Sequence, residues 1–409
     1  MSEQKLPLSG MRILDLTVMT AGPVGTMMLG DLGADVIKIE ELQDGELSRK
    51  MGTLYVGAES ANFLSQNRNK RSLRLDLKHP EGRAAFLRMA AQADVVTENF
   101  RPGTMDRLGI GYEAVRAVNP RIVFASISAF GQSGPYAHLP ANDPIVQALS
   151  GLMHMTGEGD GDPVRVGHPY PDFGAAALLA FGVCAALLHR ERTGEGQALD
   201  LSLLNGTIFS AIPRDGETLR TGKAPPRLGS GHPAFVPYRN YKGSDGSLFF
   251  LSCFNEKFWT QVCDAIERPD LKTDARTATN RARAANRAFV DTELESIFAT
   301  RTSAEWLQRL ARFNVPAAPV QDLHHALRHD PQVRHNETIV EVSHPTAGVV
   351  ETLALPVNFQ RTPASYRRPP PILGEHSLEV LREFGFGAGE IDQLLAGDVV
   401  AGTDRAQAR

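Results

Sequence analysis

At 409 residues, with 42% hydrophobic and 22% charged side chains and a formal net charge of −4, the chain is long enough for two domains. It has no global positive field to hold nucleic acid or an anionic membrane. Cys184, Cys253 and Cys263 form no C-x-x-C pair and cannot all be bonded within one chain, so a reducing compartment is expected. The opening MSEQKLPLSG lacks an apolar run before a small-residue cleavage site, which points to the cytoplasm.

From Met11, MRILDL reads as a buried strand, AGP as a turn, Pro23 to Leu32 as a helix and ADVIKIE as the next strand. Pro23 suits a first helical turn and Gly33 a left-handed helix exit. SLRLDLK then reads as a strand, Pro80 to about Gln92 as a helix, ADVVTEN as a strand, Tyr112 to Val118 as a short helix and RIVFASIS as a further strand. This alternation implies a parallel sheet covered on both faces, in an α/β fold. The apolar stretch Phe173 to Leu188 is sixteen residues, short of the roughly 20 that a membrane span needs, and is expected to be a buried core helix.

Near Arg220 to Pro237 the composition turns rich in Gly and Pro, which marks a linker or an active-site loop. Beyond it, YRNYKGSDGSLFFLSC predicts a hairpin turning at Ser244 to Gly246, followed by helical patterns over Phe258 to Ile266 and Ala285 to Leu310. The implied division is a large α/β domain over 1–200, a linker over 201–225, a smaller α+β domain over 226–325, and a return to the large domain over 326–400. The return contains YRRPPP and an amphipathic helix from Ser377 to Phe384, and the end, TDRAQAR, is expected to fray.

Ligands of open parallel sheets sit beyond the carboxyl ends of the strands. That directs attention to the loops at Thr17 to Pro23, Glu40 to Gly45, Asn99 to Gly103 and Ala129 to Pro135. No G-x-G-x-x-G follows the first strand and no G-x-x-x-x-G-K-[ST] occurs, which argues against nicotinamide, flavin or ATP. Asp172 opens the apolar helix. An N-cap would account for it, but the same place holds a carboxylate beside oriented N–H groups, as a carboxylate nucleophile requires. Arg68, Lys70, Arg71, Arg74 and Lys78 crowd into QNRNKRSLRLDLK, either as a solvated charge run or as a phosphate-binding patch. Asn99, Phe100 and Arg101 offer an amide, an apolar face and a cation at the expected binding edge.

Several stretches carry a resemblance: AGPVGTMMLGDLGADVIKIE, NRNKRSLRLDLKHPEGR, ADVVTENFRPGTMDRLGIGYE, NPRIVFASISAFGQSGP, ALLHRERTGEGQALDLSLL and LGEHSLEVL. In this order and spacing, from about Leu8 to Leu395, the chain resembles a class III CoA-transferase of the CaiB/BaiF family. The resemblance implies an acyl-CoA:carboxylate CoA-transferase with Asp172 as the catalytic aspartate. It places CoA contacts at Thr20, Ala21, Leu75, Lys78, Asn99, Phe100, Arg101 and Arg107. It further implies an interlocked, ring-like homodimer, acyl-CoA and a carboxylic acid as small-molecule substrates, no metal or redox cofactor, and neither nucleic acid nor membrane as partner. The loop from Gly229 to Pro237 is the candidate for the part facing the acyl group.

By that resemblance Asp172 attacks the donor thioester to give an anhydride, CoA thiolate recaptures it as an aspartyl-CoA thioester, and the acceptor acid reverses the steps. Only an anhydride is activated enough for that recapture. Two other readings stand beside it. An α-methylacyl-CoA racemase would need a His-Asp pair where this chain has Asn142 and Asp143, and an amide is no general base. His138, His154 and His168 are expected to be structural or solvent-facing. The second is a non-catalytic acyl-CoA-binding paralogue. Relatives often carry Arg-Pro-Gly after the second strand, whereas Glu40 to Asp44 supply no cation, leaving Arg68, Arg71 or Arg101 to compensate. The short LGSGHPAF does not support oxalate specificity.

Overall fold

The computed structural model describes residues 5–403. They form two compact units: one holds the chain up to Ser150, Gly167–Ala211 and the chain from Pro331 onward, the other Gly151–Val166 and Ile212–Asp330. Residues 151–166, counted with the first domain on composition, fall in the second unit. Of the end expected to fray, all but Thr403 lies outside the described residues.

In the first unit, β1 (Arg12–Asp15), β2 (Asp35–Glu40), β3 (Lys70–Leu75), β4 (Val95–Glu98), β5 (Val123–Ser128) and β6 (Gln197–Ser202) form a parallel sheet. Their order is β3-β2-β1-β4-β5-β6, so the strand direction of winding reverses between β1 and β4 and opens a crevice beyond their carboxyl ends. The first five strands are buried almost throughout, as strands covered on both faces are. At the edge, β6 is mostly half-buried, and its QALDLS carries a weaker signal that the reading of the sequence did not pick up as a strand.

The helices of this part include α1 (Ala21–Asp31), α2 (Pro80–Ala90), α3 (Tyr112–Val118), α4 (Asp143–Leu149) and α5 (Tyr170–Thr193). Ala21, Gly22 and Pro23 are not a turn but the first turn of α1, where the absent N–H of proline costs nothing. At 24 residues α5 is longer than its apolar stretch, because HRERT continues the helix to Gly194 at φ +82°. By length and composition it could cross a membrane, but Ala175, Leu179, Val183 and Leu187 are buried in the core of the unit. It crosses α1 at a glycine: a Cβ on Gly25 would lie 2.9 Å from the Ala176 carbonyl and 2.8 Å from Leu179 Cδ2.

The basic run is neither solvated nor open to a ligand over four of its five residues. Arg68 pairs with Asp31 at 2.6 Å, Lys70 with Asp15 at 3.0 Å, and Arg71 with Asp35, Glu379 and Glu383, all three cations being buried. Arg74, also buried, donates to the Gly402 carbonyl at 2.9 Å. Lys78 alone of the five is exposed. Arg68 and Arg71 are therefore committed to internal carboxylates and cannot replace the cation missing after β2.

The second unit is a three-stranded antiparallel sheet of β7 (Tyr238–Lys242), β8 (Leu248–Ser252) and β9 (Ala317–Pro319), in the order β9-β8-β7, packed with helices. These include α6 (Glu256–Ala265), α7 (Arg287–Phe298) and α8 (Ser303–Arg312). The expected helical run from 285 to 310 breaks before α8, where Thr302 and Glu305 form a reciprocal capping box. Aromatic rings fill the core: Phe298 meets Phe249 at 5.0 Å and Trp306 at 5.2 Å, both edge-on, and Trp306 Nε1 donates to the Phe298 carbonyl at 2.9 Å.

The chain then returns to the first unit. It adds a hairpin of β10 (Ile339–His344) and β11 (Gly348–Leu353), then α9 (Ser377–Glu383), α10 (Ala388–Ala396) and β12 (Val400–Ala401). The last strand pairs antiparallel with β3. Of these, the sequence reading anticipated only α9.

A buried charge network underlies the crevice. Asp15 Oδ1 accepts from Thr17 N at 3.0 Å and Thr17 Oγ1 at 2.5 Å, and Oδ2 accepts from Thr26 at 2.8 Å and Lys70 at 3.0 Å. Burial pushes the Asp15 carboxyl up, but Lys70, Lys38 and the Thr17 hydroxyl outweigh it and hold it well below the usual carboxylate range. Lys38 donates to the Thr17 carbonyl at 2.7 Å and pairs with Glu46 at 3.4 Å. Glu40 at the end of β2 is gripped by Arg49 through two bonds of 2.7 Å. Removing one partner of such a pair leaves an uncompensated buried charge. Asp15→Ala is thus expected to cost about 3–5 kcal/mol in urea denaturation, and a loss no larger than the roughly 0–1 kcal/mol of an exposed pair would contradict the network's role.

Candidate active site

The loop after β1 is held by side chains from several elements. Val18 N donates to Asn99 Oδ1 and Asn99 Nδ2 donates to Val18 O, both at 2.8 Å, so that amide ties together the two loops flanking the crevice. Met19 sits at φ +70°, a left-handed conformation that costs a side-chain-bearing residue about 1–2 kcal/mol. Its N–H is held by Glu46 Oε2 at 3.0 Å. Thr20 and Ala21 follow immediately, at the N-terminus of α1. A Cβ on Gly22 would fall 2.2 Å from Thr17 Cβ, so only glycine lets α1 start this close to the loop.

Beyond β4, Asn99, Phe100 and Arg101 line one cavity of about 140 Å³ together with Ser128 and Phe130. Arg101 and Arg107 are exposed, and Arg107 donates to Thr104 Oγ1 at 2.8 Å. The turn is shaped by Glu98, whose Oε2 accepts from Phe100 N at 2.8 Å. Burial, opposed by bonds from Ser126 and Phe100, pushes the Glu98 carboxyl up to about 7. The other expected contacts differ in kind. Lys78 is exposed after β3, while the Leu75 side chain is buried in the core, which leaves only its backbone to meet a ligand.

Asp172 is not an N-cap. It is the third residue of α5, Pro169 holds the cap position, and no side chain caps the helix. Among the described residues no hydrogen bond reaches the Asp172 carboxylate. The half-buried group is pushed up to about 7, first by burial and then by the neighbouring Asp143. Asp143, buried in the first turn of α4, accepts from Asp172 N at 3.3 Å and from Gln147 Nε2 at 2.6 Å. Gln147 thus orients Asp143, and Asp143 anchors the Asp172 backbone while repelling its carboxylate. A carboxylate stripped of donors and crowded by a second one is a poor structural element and a reactive nucleophile.

The reading of the sequence took Asp143 only as the residue after Asn142 and missed its role. The missed signal is the i, i+4 pair of Asp143 and Gln147 in NDPIVQ, which places both on one helix face. Asn142 is exposed, as are His138, His154 and His168, and His168 packs against Phe173 at 5.8 Å.

A carboxyl raised in the folded state binds its proton more tightly there than in the unfolded chain. Its penalty on stability is absent below the ordinary aspartate value of 3.8 and grows as pH rises to about 7. Asp172→Asn should therefore melt above the parent chain at pH 8, with the gap narrowing toward pH 5. A gap that stays constant with pH would show that the carboxylate is not strained in this way.

The family profile of CoA-transferase family III matches residues 8–377. Succinyl-CoA:glutarate CoA-transferase of Mus musculus is 38% identical over 396 residues, covering 96% of this chain and 90% of that one. Acetyl-CoA:oxalate CoA-transferase of Acetobacter aceti is 39% identical over 385 residues, covering 94% and 97%. Among solved structures, a CaiB/BaiF family protein from Brucella suis superposes with a TM-score of 0.84 at 33% identity, covering 93% of this chain and all of that one. The chain belongs to CoA-transferase family III, and it is an enzyme of that class.

Proposed function

We propose that this enzyme moves CoA between carboxylic acids with Asp172 as the acyl-carrying nucleophile. The observation that carries the proposal is the Asp172 carboxylate itself, half-buried, without a hydrogen bond among the described residues, and crowded by Asp143. An Asp172 oxygen attacks the carbonyl carbon of the donor thioester, the C–S bond breaks, and CoA leaves as thiolate, giving a mixed anhydride. The thiolate attacks the aspartyl carbonyl, the donor acid departs as carboxylate, and an aspartyl-CoA thioester remains. An acceptor carboxylate attacks that thioester and frees the thiolate. The thiolate then takes the acceptor acyl group from the second anhydride and returns Asp172 to its carboxylate. Each step exchanges one anionic oxygen or sulfur for another, so no net proton is required.

The crevice between β1 and β4 supports a place for CoA, with Thr20 and Ala21 at the N-terminus of α1 and with Arg101 and Arg107 as exposed cations toward phosphate. The relatives' names speak for dicarboxylic acids as exchange partners. Exposed apolar side chains on α5, Phe181 at 72% and Leu188 at 53%, together with Phe209 at 68%, support an interlocked homodimer as the working form. The three free thiols support a reducing compartment.

Incubation with an acyl-CoA donor and hydroxylamine should inactivate the enzyme by trapping Asp172 as its hydroxamate. Asp172→Ala should abolish transfer while CoA binding persists, and normal turnover in that variant would overturn the assignment. The nucleophile works ionised, so kcat should fall as pH drops below about 7, the value to which Asp172 is pushed. Glu98 lies near the same value, but Asp143 is not among the groups acting on it. A downward shift of the acid limb in Asp143→Asn therefore assigns the limb to Asp172, and an unmoved limb assigns it elsewhere.

A further inference from the structure

Histidines gather at the end of the second unit, away from the chemistry proposed for Asp172. His324, His325 and His329 all belong to the helix Leu323–His329, after which the chain leaves the unit at Asp330. The three side chains are exposed, while Ala326 and Leu327 of the same helix are half-buried. Among the described residues no hydrogen bond reaches a ring nitrogen of any of the three. The helix itself is pinned at both ends. Asp322 caps its start, Oδ1 accepting from His325 N at 2.7 Å, and Gln321 Nε2 donates to Asp330 Oδ2 at 3.1 Å, joining the residues that bracket it.

His325 and His329 stand at i and i+4, the spacing that sets two imidazoles on one helix face, as in the zinc-binding H-E-x-x-H arrangement. Their ring centroids are 5.1 Å apart, with the planes inclined at 49°. A zinc ion lies about 2.0–2.1 Å from a ligating imidazole nitrogen, and hence about 3.2 Å from the ring centroid. Two such rings meeting at the tetrahedral angle have centroids about 5.2 Å apart. The observed separation is therefore already that of a chelating pair. His324 lies 5.8 Å from His329, which would open the angle to about 130°, so it stands outside the pair. Arg328 is the helix's one lysine or arginine, and the carboxylates of Asp322 and Asp330 flank it in the chain.

We propose that His325 and His329 form a two-ligand site for a first-row divalent cation of the zinc, nickel or copper kind, which clamps the closing turn of this helix. Imidazole suits those ions, whereas magnesium and calcium take oxygen donors. Among the described residues no group of three or more histidines, cysteines or carboxylates could hold a metal, so water fills the other positions of the ion. Such a site binds more weakly than a four-ligand structural zinc site, and its occupancy follows the concentration of the free ion. The unfolded chain does not hold the two rings at this spacing, so the ion stabilises the helix by mass action.

Zinc titration of the full chain by calorimetry tests the site, with His325→Gln, His329→Gln, the double variant and His324→Gln. All three positions are exposed, so the variants report on binding rather than on folding. Each single variant of the pair should lose at least about 10-fold in zinc affinity. The double variant should lose no more than either single one, because a chelate fails when one arm goes, and His324→Gln should bind like the parent. Zinc should also slow hydrogen exchange in the peptide containing Leu323–His329 of the parent, and leave it unchanged in His325→Gln. Unchanged affinity in the pair variants would overturn the proposal. So would losses that add in the double variant, as for two independent histidines, or an equal loss in His324→Gln. None of these readouts depends on the transfer activity.

Discussion

A carboxylate denied hydrogen bonds and set beside another carboxylate is the constraint around which the first unit is arranged. Left to itself, Asp172 would rotate to a donor or to water. It stays because α5 is fixed along its length: Ala176, one turn on from Asp172, lies against Gly25, and Arg190 near the far end pairs with Asp94 at 2.8 Å. Deleting the buried Leu179 side chain from that crossing would forfeit about 2–5 kcal/mol, a large share of what a typical domain has to spare. The repulsion that makes Asp172 reactive is therefore carried by packing elsewhere in the helix.

The crossing also couples the nucleophile to the crevice. The helix that receives Ala176 begins with Ala21 and follows the strained Met19, and the loop between β1 and α1 is locked by Asp15, Lys38, Glu46 and Asn99. Buried ion pairs contribute little net stability against apolar replacements of the same shape. Their use here is positional: Asp15 on β1 and Lys38 on β2 hold the Thr17 backbone, and Glu46, paired with Lys38, holds the Met19 N–H. A loop that must keep a non-glycine residue at φ +70° needs such over-determination, because unrestrained backbone would relax.

Much of the fold was legible because the buried parallel strands and helices of the first unit have strong periodic signals, as in ADVIKIE and ADVVTEN. Less was legible where tertiary context decides. The charge run Arg68 to Lys78 reads as a surface feature, since the carboxylates that pair with three of its five members, Arg68, Lys70 and Arg71, come from Asp15, Asp31, Asp35, Glu379 and Glu383, distant in the chain. The buried Arg74 donates to the Gly402 carbonyl, also distant in the chain. The hairpin of β10 and β11 and the edge strands β6 and β12 are short or half-exposed, which dilutes their alternation. For the site, Asp172 was visible as an acid at the mouth of an apolar helix. Its lack of a capping role and its repulsion by Asp143 depend on where α4 packs, which no local pattern encodes.

Oxygen exchange tests the central claim most directly. A donor acid released after thiolate attacks the aspartyl carbonyl carries away one oxygen from Asp172, and the acceptor acid replaces it with one of its own. With an acceptor labelled with oxygen-18 in its carboxylate, turnover should place the label in the peptide containing Asp172, as read by mass spectrometry. Active exchange of CoA with that peptide unlabelled would contradict the account.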